Sequence, residues 1–130
     1  MKRKELILLN VAFSEVKVVG LAKEPSLKYF KLKIALSEEI AKMAEFERTA
    51  KEQTKPDDVE DESQLSELQF RNWKNAFEPV MADYQEQELE GFPDTRILTD
   101  DELYDCMLSS ELNKEMNTEK KAVLMKYLVK

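Results

Sequence analysis

Four carboxylates and the only cysteine of the chain lie together in the segment ILTDDELYDC, residues 97–106. Acids at this density could ligate a divalent cation, but the start of a helix also explains them. Thr99 and Glu102 have the Ser/Thr-x-x-Glu spacing of a capping box, in which each side chain accepts a hydrogen bond from the backbone N–H of the other residue. Asp100 and Asp101 then lie in the first turn, where the helix dipole favours negative charge. The segment therefore predicts a helix start that needs no ligand.

Nucleophilic catalysis finds little support elsewhere in the sequence. Cys106 lies one turn into the predicted helix, and the nearby Asp101, Glu102 and Asp105 oppose formation of a thiolate. We expect a small, buried, apolar residue at this position. Histidine is absent, which removes Ser-His-Asp and Cys-His arrangements and the imidazole ligands of zinc. The sequence therefore predicts no catalytic residue, no metal ligand and no cofactor.

A second acidic segment, KPDDVEDESQ at residues 55–64, contains the remaining candidate site. Pro56 ends the preceding helical pattern, and only Val59 among the residues around the acids is suited to burial. A calcium loop of the EF-hand type needs alternating acids and a central glycine, and both are missing. We interpret the segment as a solvated acidic linker loop with little structure of its own. Its carboxylates are the candidate partner-binding residues: Asp57, Asp58, Glu60, Asp61 and Glu62.

The composition favours a few long helices over many short strands. The chain has 130 residues, 36% of them charged, and only two glycines and four prolines to form turns. This length predicts one domain that spans residues 1–130. The apolar run near residue 6 is too short for a signal peptide or a membrane span, so we expect a soluble, cytoplasmic protein.

Charge is divided unevenly along the chain. Residues 1–51 have a net charge of +4, residues 52–110 of −13 and residues 111–130 of +2. The negative middle would repel a polyanion, so we expect no direct binding to nucleic acid. A molecule that is basic at both ends and acidic in the middle can pair with copies of itself or with a basic protein. We therefore expect a protein partner or self-association, and no membrane partner.

The segment KELILLNVAFSEVKVV, residues 4–19, has apolar residues three or four positions apart, which predicts a helix. The repeat consists of Leu6, Leu9, Phe13 and Val16. Gly20 follows and is expected to end the helix. A strand is the alternative for this segment, because Val16, Val18 and Val19 are β-branched.

A longer helix is predicted over residues 27–53, with Ser26 as its cap. Its apolar residues repeat at spacings of three and four: Tyr29, Leu32, Leu36, Ile40, Met43, Phe46 and Ala50. The turn that joins it to the first helix is short. The two helices are therefore expected to form an antiparallel hairpin over residues 1–54.

A third helix is expected after the acidic loop, with Ser63 as its cap. Its most aromatic stripe consists of Phe70, Trp73 and Phe77. Such a stripe is either core or a platform for a partner, and core is its commoner role. Pro79 is expected to kink or break the helix, because proline removes a backbone donor and clashes with the preceding turn.

Two short helices are expected to complete the C-terminal part, residues 65–130. The first begins at the capping box of Thr99, and the second is capped by Asn117 or Thr118. Between the third helix and these two, the segment GFPDTRIL is expected to be extended. The sequence thus predicts an all-α fold made of an N-terminal αα-hairpin, a kinked helix and two short C-terminal helices.

The order of these parts resembles that of small uncharacterised proteins of tailed bacteriophages and prophages. The matching pieces are LNVAFSEV, LKYFKLKIALSEEIAKMAEFE, LTDDELYDCM and LMKYLVK, and they span most of the chain. That family has no activity to carry over, so no residue gains a role from it. The resemblance implies a helical viral accessory or assembly protein.

Two functions follow as hypotheses from the missing catalytic residues and the divided charge. The first is a non-catalytic helical interaction protein, consistent with a phage-encoded factor that acts in assembly or regulation by binding other protein. The second is an acidic inhibitor whose carboxylates imitate nucleic-acid phosphates and occupy a DNA-binding enzyme. A carboxylate-dependent enzyme that uses Mg²⁺ is the least favoured alternative.

Overall fold

The computed structural model describes residues 1–17 and 20–130, and the protein is all-α, as the sequence predicts. Within these residues six helices follow one another: α1 (Arg3–Glu15), α2 (Lys23–Thr54), α3 (Glu67–Glu86), α4 (Asp100–Leu108), α5 (Glu111–Glu115) and α6 (Thr118–Leu128). Two isolated β-bridges pair Lys2 with Glu88 and Leu98 with Val129. The second of these bridges ties the extended segment before α4 to the end of α6.

The first helix forms the centre of the core. The predicted repeat of α1 is buried at Leu6, Leu9 and Phe13, and Ala12 is buried beside them. Of the other helices, α6 packs most extensively against α1, and α3 and α2 also contact it. One apolar cluster therefore draws on α1, α2, α3, α4 and α6.

The end of α1 differs from the sequence prediction. The helical alternative is confirmed up to Glu15, but Val16 has an extended backbone and Gly20 lies five residues beyond the end of the helix. Val16 is buried although it is not helical, because its extended backbone still carries the side chain into the core. The strand alternative for Val18 and Val19 lies outside the described residues.

The second helix is longer than predicted and begins earlier. It has 32 residues, which is about 48 Å at 1.5 Å per residue. Its N-cap is Ala22, which makes no side-chain cap, and the expected cap Ser26 lies inside the first turn. The predicted apolar face is confirmed: Tyr29, Leu32, Leu36, Met43 and Ala50 are buried, and Ile40 and Phe46 are half-buried. The expected α1–α2 hairpin is not confirmed, because α2 packs more extensively against α3 than against α1.

The third helix is capped by Ser66 and not by Ser63. Ser66 Oγ accepts from the Gln69 N–H at 3.1 Å, and the Gln69 side chain accepts from the Ser66 N–H at 3.0 Å. This reciprocal pair is a capping box, which Ser63 cannot form because a serine lies three residues after it. The helix also continues through Pro79 and is not broken there. Pro79 is exposed, so water can reach the backbone around the missing donor.

The C-terminal half of α2 and all of α3 form a two-helix arm, residues 43–86, with the acidic loop at its tip. Tyr84 is the only residue of α3 that is buried. Ala50 and Val59 are buried as well, but they lie outside the main apolar cluster. The arm is therefore held together mainly by packing between its own two helices.

The base of the arm is fastened to the start of α1. The ring of Tyr84 stacks on Phe46 with 3.7 Å between centroids, and the Arg3 guanidinium lies 4.3 Å from the Tyr84 ring centre. Glu86 accepts hydrogen bonds from the ammonium groups of Lys2, at 2.8 Å, and Lys4. These two bonds lower the pKa of Glu86 to about 2. The basic residues of α1 thus bind the acidic end of α3.

The C-terminal part contains three helices instead of the expected two, because α5 forms between α4 and α6. The capping box of α4 is confirmed: Thr99 Oγ1 accepts from the Glu102 N–H at 3.2 Å, and the Glu102 side chain accepts from the Thr99 N–H at 3.0 Å. Asn117 caps α6 by accepting from the Lys120 N–H at 2.8 Å.

A buried amide joins α5 to the rest of the core. Asn113 is fully buried, and its Oδ1 accepts from the Lys17 N–H at 2.7 Å. Its Nδ2 donates to the carbonyls of Lys17, at 2.7 Å, and Cys106, at 2.9 Å. Cys106 is buried as expected, and its thiol donates to the Lys17 carbonyl at 3.3 Å. One side chain therefore ties its own short helix to the segment after α1 and to the last turn of α4.

We expect Asn113→Ala to lower the free energy of unfolding by about 1–3 kcal/mol, because the substitution removes the acceptor of the Lys17 N–H and one donor from each of two carbonyls. Urea denaturation followed by circular dichroism measures the loss. The control is Asn75→Ala on the exposed side of α3, which should stay within about 0.5 kcal/mol of wild type. Equal stabilities of the two variants would contradict a structural role for the buried amide.

Acid should weaken the fastening of the arm. The folded-state pKa of Glu86 is about 2, below its ordinary value of 4.5, so its ionised form stabilises the fold above pH 4.5. That contribution is lost as the pH falls from about 5 toward 2. We expect the difference in unfolding free energy between wild type and Glu86→Gln to be largest near neutral pH and to vanish toward pH 2. A difference that does not change with pH would contradict the ionic fastening.

Candidate functional site

All five candidate acids lie on the tip loop, residues 55–66, and all of them are exposed. Glu62 forms an ion pair with Lys55 at 3.6 Å. Asp61 Oδ1 accepts from the backbone N–H of Ser63 at 2.9 Å and from its hydroxyl at 2.7 Å, and these bonds lower the pKa of Asp61. Asp61 therefore has a local structural role, while Asp57, Asp58 and Glu60 present their carboxylates to solvent.

The tip loop has more structure than the sequence suggested. Val59, the apolar residue among the acids, is buried as expected, and its N–H donates to the Pro56 carbonyl at 3.1 Å. The Gln69 side chain donates to the carbonyl of Asp58 at 3.0 Å, which ties the loop to the first turn of α3. The segment is a solvated loop, as the sequence predicts, and these bonds give the backbone that carries the acids defined turns.

An apolar groove lies beside this loop, between the end of α2 and the first half of α3. Its floor consists of Leu65, Phe70, Trp73 and Phe77, and it encloses about 480 Å³. Phe70 is 57% exposed, and Trp73 and Phe77 are half-buried. The interpretation of this stripe as plain core is therefore wrong. We call this surface the aromatic groove.

The indole of Trp73 is held in place at the floor of the groove. Its Nε1–H donates to the backbone carbonyl of Lys51 at 3.1 Å. This bond ties the first half of α3 to the last turn of α2. Lys51 also places its ammonium 5.9 Å from the centre of the Phe77 ring. The groove is thus built from both helices of the arm.

Charged residues surround the apolar floor. The edge of the groove carries Lys51, Glu62, Lys74 and Glu78. Lys74 and Glu78 pair with each other at 3.8 Å. The wider surroundings are strongly negative, because residues 52–67 carry seven acidic side chains and one basic side chain, Lys55, for a net charge of −6. An apolar occupant with positive flanks suits this combination of floor and surroundings.

The other acidic segment forms no comparable site. Thr99 and Glu102 are occupied in the capping box of α4, and Cys106 is buried behind them. Across residues 1–17 and 20–130, no group of three or more acids and cysteine is arranged to hold a metal ion. None of the helices in the described parts of the chain is both long and apolar enough to cross a membrane.

Sequence reasoning missed a second exposed apolar surface, on the first half of α2. Leu27, Phe30 and Ile34 lie in the same helix as the buried face but are exposed. The signal was present in the sequence, because α2 has apolar residues at more positions than one face can hold. We call these three residues the exposed stripe of α2.

Comparison of the chain with protein-family models, with curated proteins and with solved structures gives no match.

Proposed function

We propose that this is a non-catalytic interaction protein that binds a basic amphipathic helix of a protein partner in its aromatic groove. The observation that carries the proposal is the exposure of Phe70 and the partial exposure of Trp73 and Phe77 within a strongly negative part of the surface. Large apolar side chains clustered on a surface favour binding to another protein. Tryptophan and other aromatic residues supply much of the energy at such interfaces.

The shape of the groove favours a helix as the occupant. Phe70, Trp73 and Phe77 are spaced by three and four residues along α3, so they form a ridge parallel to its axis. A second helix can lie along this ridge with apolar side chains at matching spacings, as in other helix-in-groove complexes. Lysine or arginine beside those side chains would then face the acids of the tip loop.

The resemblance to phage proteins fits this proposal. An accessory or assembly factor acts by holding other proteins, and it needs a binding surface more than a reactive pocket. The polar groups at the edge of the groove are lysines and glutamates, and Lys74 and Glu78 pair with each other at 3.8 Å. An edge with charges of both signs can form ion pairs with a charged partner.

Trp73 provides a direct test, because it is the only tryptophan in the chain. The probe is a synthetic helix of leucine and lysine with leucine at positions i, i+3, i+4 and i+7. We expect a saturable blue shift of Trp73 emission as the probe covers the indole. Phe70→Glu should weaken binding at least about tenfold, because it removes an apolar contact and places a charge on the floor.

The matched control for this test is Leu68→Glu. Leu68 lies on the same helix and is 63% exposed, but it does not line the groove. We expect the affinity of the Leu68→Glu variant for the probe to stay within about twofold of wild type. Equal loss of affinity in Phe70→Glu and Leu68→Glu would contradict the proposal. No change in Trp73 emission at any probe concentration would also contradict it.

The acids of the tip loop should strengthen binding through charge. We expect the triple variant Asp57→Asn, Asp58→Asn, Glu60→Gln to bind the probe about three- to tenfold more weakly at low salt, with a smaller difference at 0.5 M salt. The control removes the same number of exposed acids elsewhere, with Asp105→Asn, Glu115→Gln and Glu119→Gln. Titrations of Trp73 emission that give both triple variants the same affinity would contradict a local role for the loop.

A second function, imitation of nucleic-acid phosphates, is favoured by the exposure of Asp57, Asp58 and Glu60 on one ordered loop. Such an inhibitor would displace fluorescent duplex DNA from DNA-binding enzymes. The tip-loop triple variant should then lose this activity, whereas Phe70→Glu should keep it, because its negative charge is intact. The opposite pattern, loss in Phe70→Glu alone, would exclude mimicry and favour the aromatic groove.

A further inference from the structure

The first half of α2 is apolar on two sides. Its core side is formed by Tyr29, Leu32 and Leu36, which are buried. The exposed stripe lies on the opposite side, since a helix advances by about 100° per residue. Its three side chains are largely open to solvent, with exposures of 51% for Leu27, 63% for Phe30 and 58% for Ile34. No part of residues 1–17 and 20–130 covers this stripe.

The surroundings of the exposed stripe are basic. Residues 23–34 contain four lysines and one glutamate, Glu24, which gives a net charge of +3. Lys23 and Lys31 flank the stripe, being four residues before Leu27 and four residues after it. The stripe is therefore an amphipathic helical surface with positive flanks. This is the chemistry that the aromatic groove requires of its occupant.

The two surfaces also match in length. Leu27 to Ile34 spans seven residues of α2, about 10 Å along the helix axis. Phe70 to Phe77 spans seven residues of α3, which is also about 10 Å. The stripe has side chains at i, i+3 and i+7, and the ridge of the groove has the same spacing. A helix laid along the ridge can therefore place each of its three apolar side chains against an aromatic ring.

A single molecule cannot make this contact with itself. Ile34 and Lys51, which lines the groove, belong to the same continuous helix and are seventeen residues apart, about 26 Å along the axis. A straight helix holds the stripe and the groove at that separation. Any contact between them must therefore come from two molecules.

We propose that a second copy of this chain occupies the aromatic groove, through the exposed stripe of its α2. The proposal rests on the proposed function, because it names the partner of the same groove. The stripe, with its net charge of +3 over residues 23–34, meets surroundings of net charge −6 over residues 52–67. The contact joins two different surfaces, so each copy offers one stripe and one groove and can bind two neighbours.

The test mixes two variants that each lack one surface. Phe30→Glu disables the stripe and Phe70→Glu disables the groove. Both side chains are more than half exposed, so the fold should persist, and circular dichroism checks this. Sedimentation velocity should show that wild type self-associates more strongly at low salt than at high salt. Each variant alone should self-associate at least tenfold more weakly.

An equimolar mixture of the two variants should form a one-to-one complex, because the intact stripe of one meets the intact groove of the other. The matched controls are Leu68→Glu on α3 and Leu112→Glu on α5, which are exposed apolar positions outside both surfaces. They should self-associate within twofold of wild type. Continued self-association of either single variant, or a mixture without the heterodimer, would overturn the proposal.

Two outcomes separate this inference from the function on which it rests. A wild-type protein that binds the leucine–lysine probe through Trp73 but stays monomeric would overturn self-docking and leave the groove as a site for another partner. A monomeric protein that binds vesicles of phosphatidylserine and phosphatidylcholine, and loses that binding in Phe30→Glu, would assign the stripe to an anionic lipid surface. A wild-type protein that neither binds the leucine–lysine probe nor self-associates would overturn both proposals.

Discussion

The unbroken backbone of α2 fixes the distances on which the rest of the structure depends. Among its 32 residues there is no glycine, and proline occurs only in the first turn, so its backbone hydrogen bonds can run without interruption. Ion pairs one turn apart support its exposed side, including Glu24 with Lys28 and Glu45 with Arg48. One helix therefore contributes the core face, the exposed stripe and one wall of the aromatic groove, and holds them at set positions along a single axis.

The arm depends on this helix because it has little buried apolar surface of its own. In α3 only Tyr84 is buried in the main cluster, with Met81 half-buried against it, and helices with little tertiary packing are marginal in water. The contacts between its two helices are supported at both ends of the arm. At the base, Tyr84 lies in contact with Phe46 and Arg3, and at the tip the Trp73 indole bonds the end of α2. Large side chains such as Phe70 can therefore remain exposed on the arm without loss of the fold.

Local signals in the sequence predicted much of this fold. The capping box at Thr99 and the buried face of α2 depend only on neighbouring residues, and both are confirmed.

The predictions were wrong where residues distant in sequence determine whether a side chain is buried or a loop is ordered. The aromatic stripe around Trp73 has the same spacing as a core stripe, and it is exposed because no third layer covers the arm among the residues that the structure describes. The exposed stripe of α2 was missed for a related reason. The spacing of apolar residues shows how many a helix has, but it does not show which of them other helices bury. The tip acids could be located from sequence, whereas the turn that orders them depends on Gln69, a residue of the next helix.

Asn113 has a consequence for how uniquely the helices of the body are arranged. Leucine faces slide past one another at modest cost, because any apolar side chain can replace another in contact. The amide of Asn113 cannot be satisfied in that way, since its three bonds require the Lys17 N–H, the Lys17 carbonyl and the Cys106 carbonyl at fixed positions. A slip of one helical turn, about 5.4 Å, would separate the buried Asn113 amide from these three partners. A single polar residue thus selects one register among several that the apolar pattern alone would tolerate.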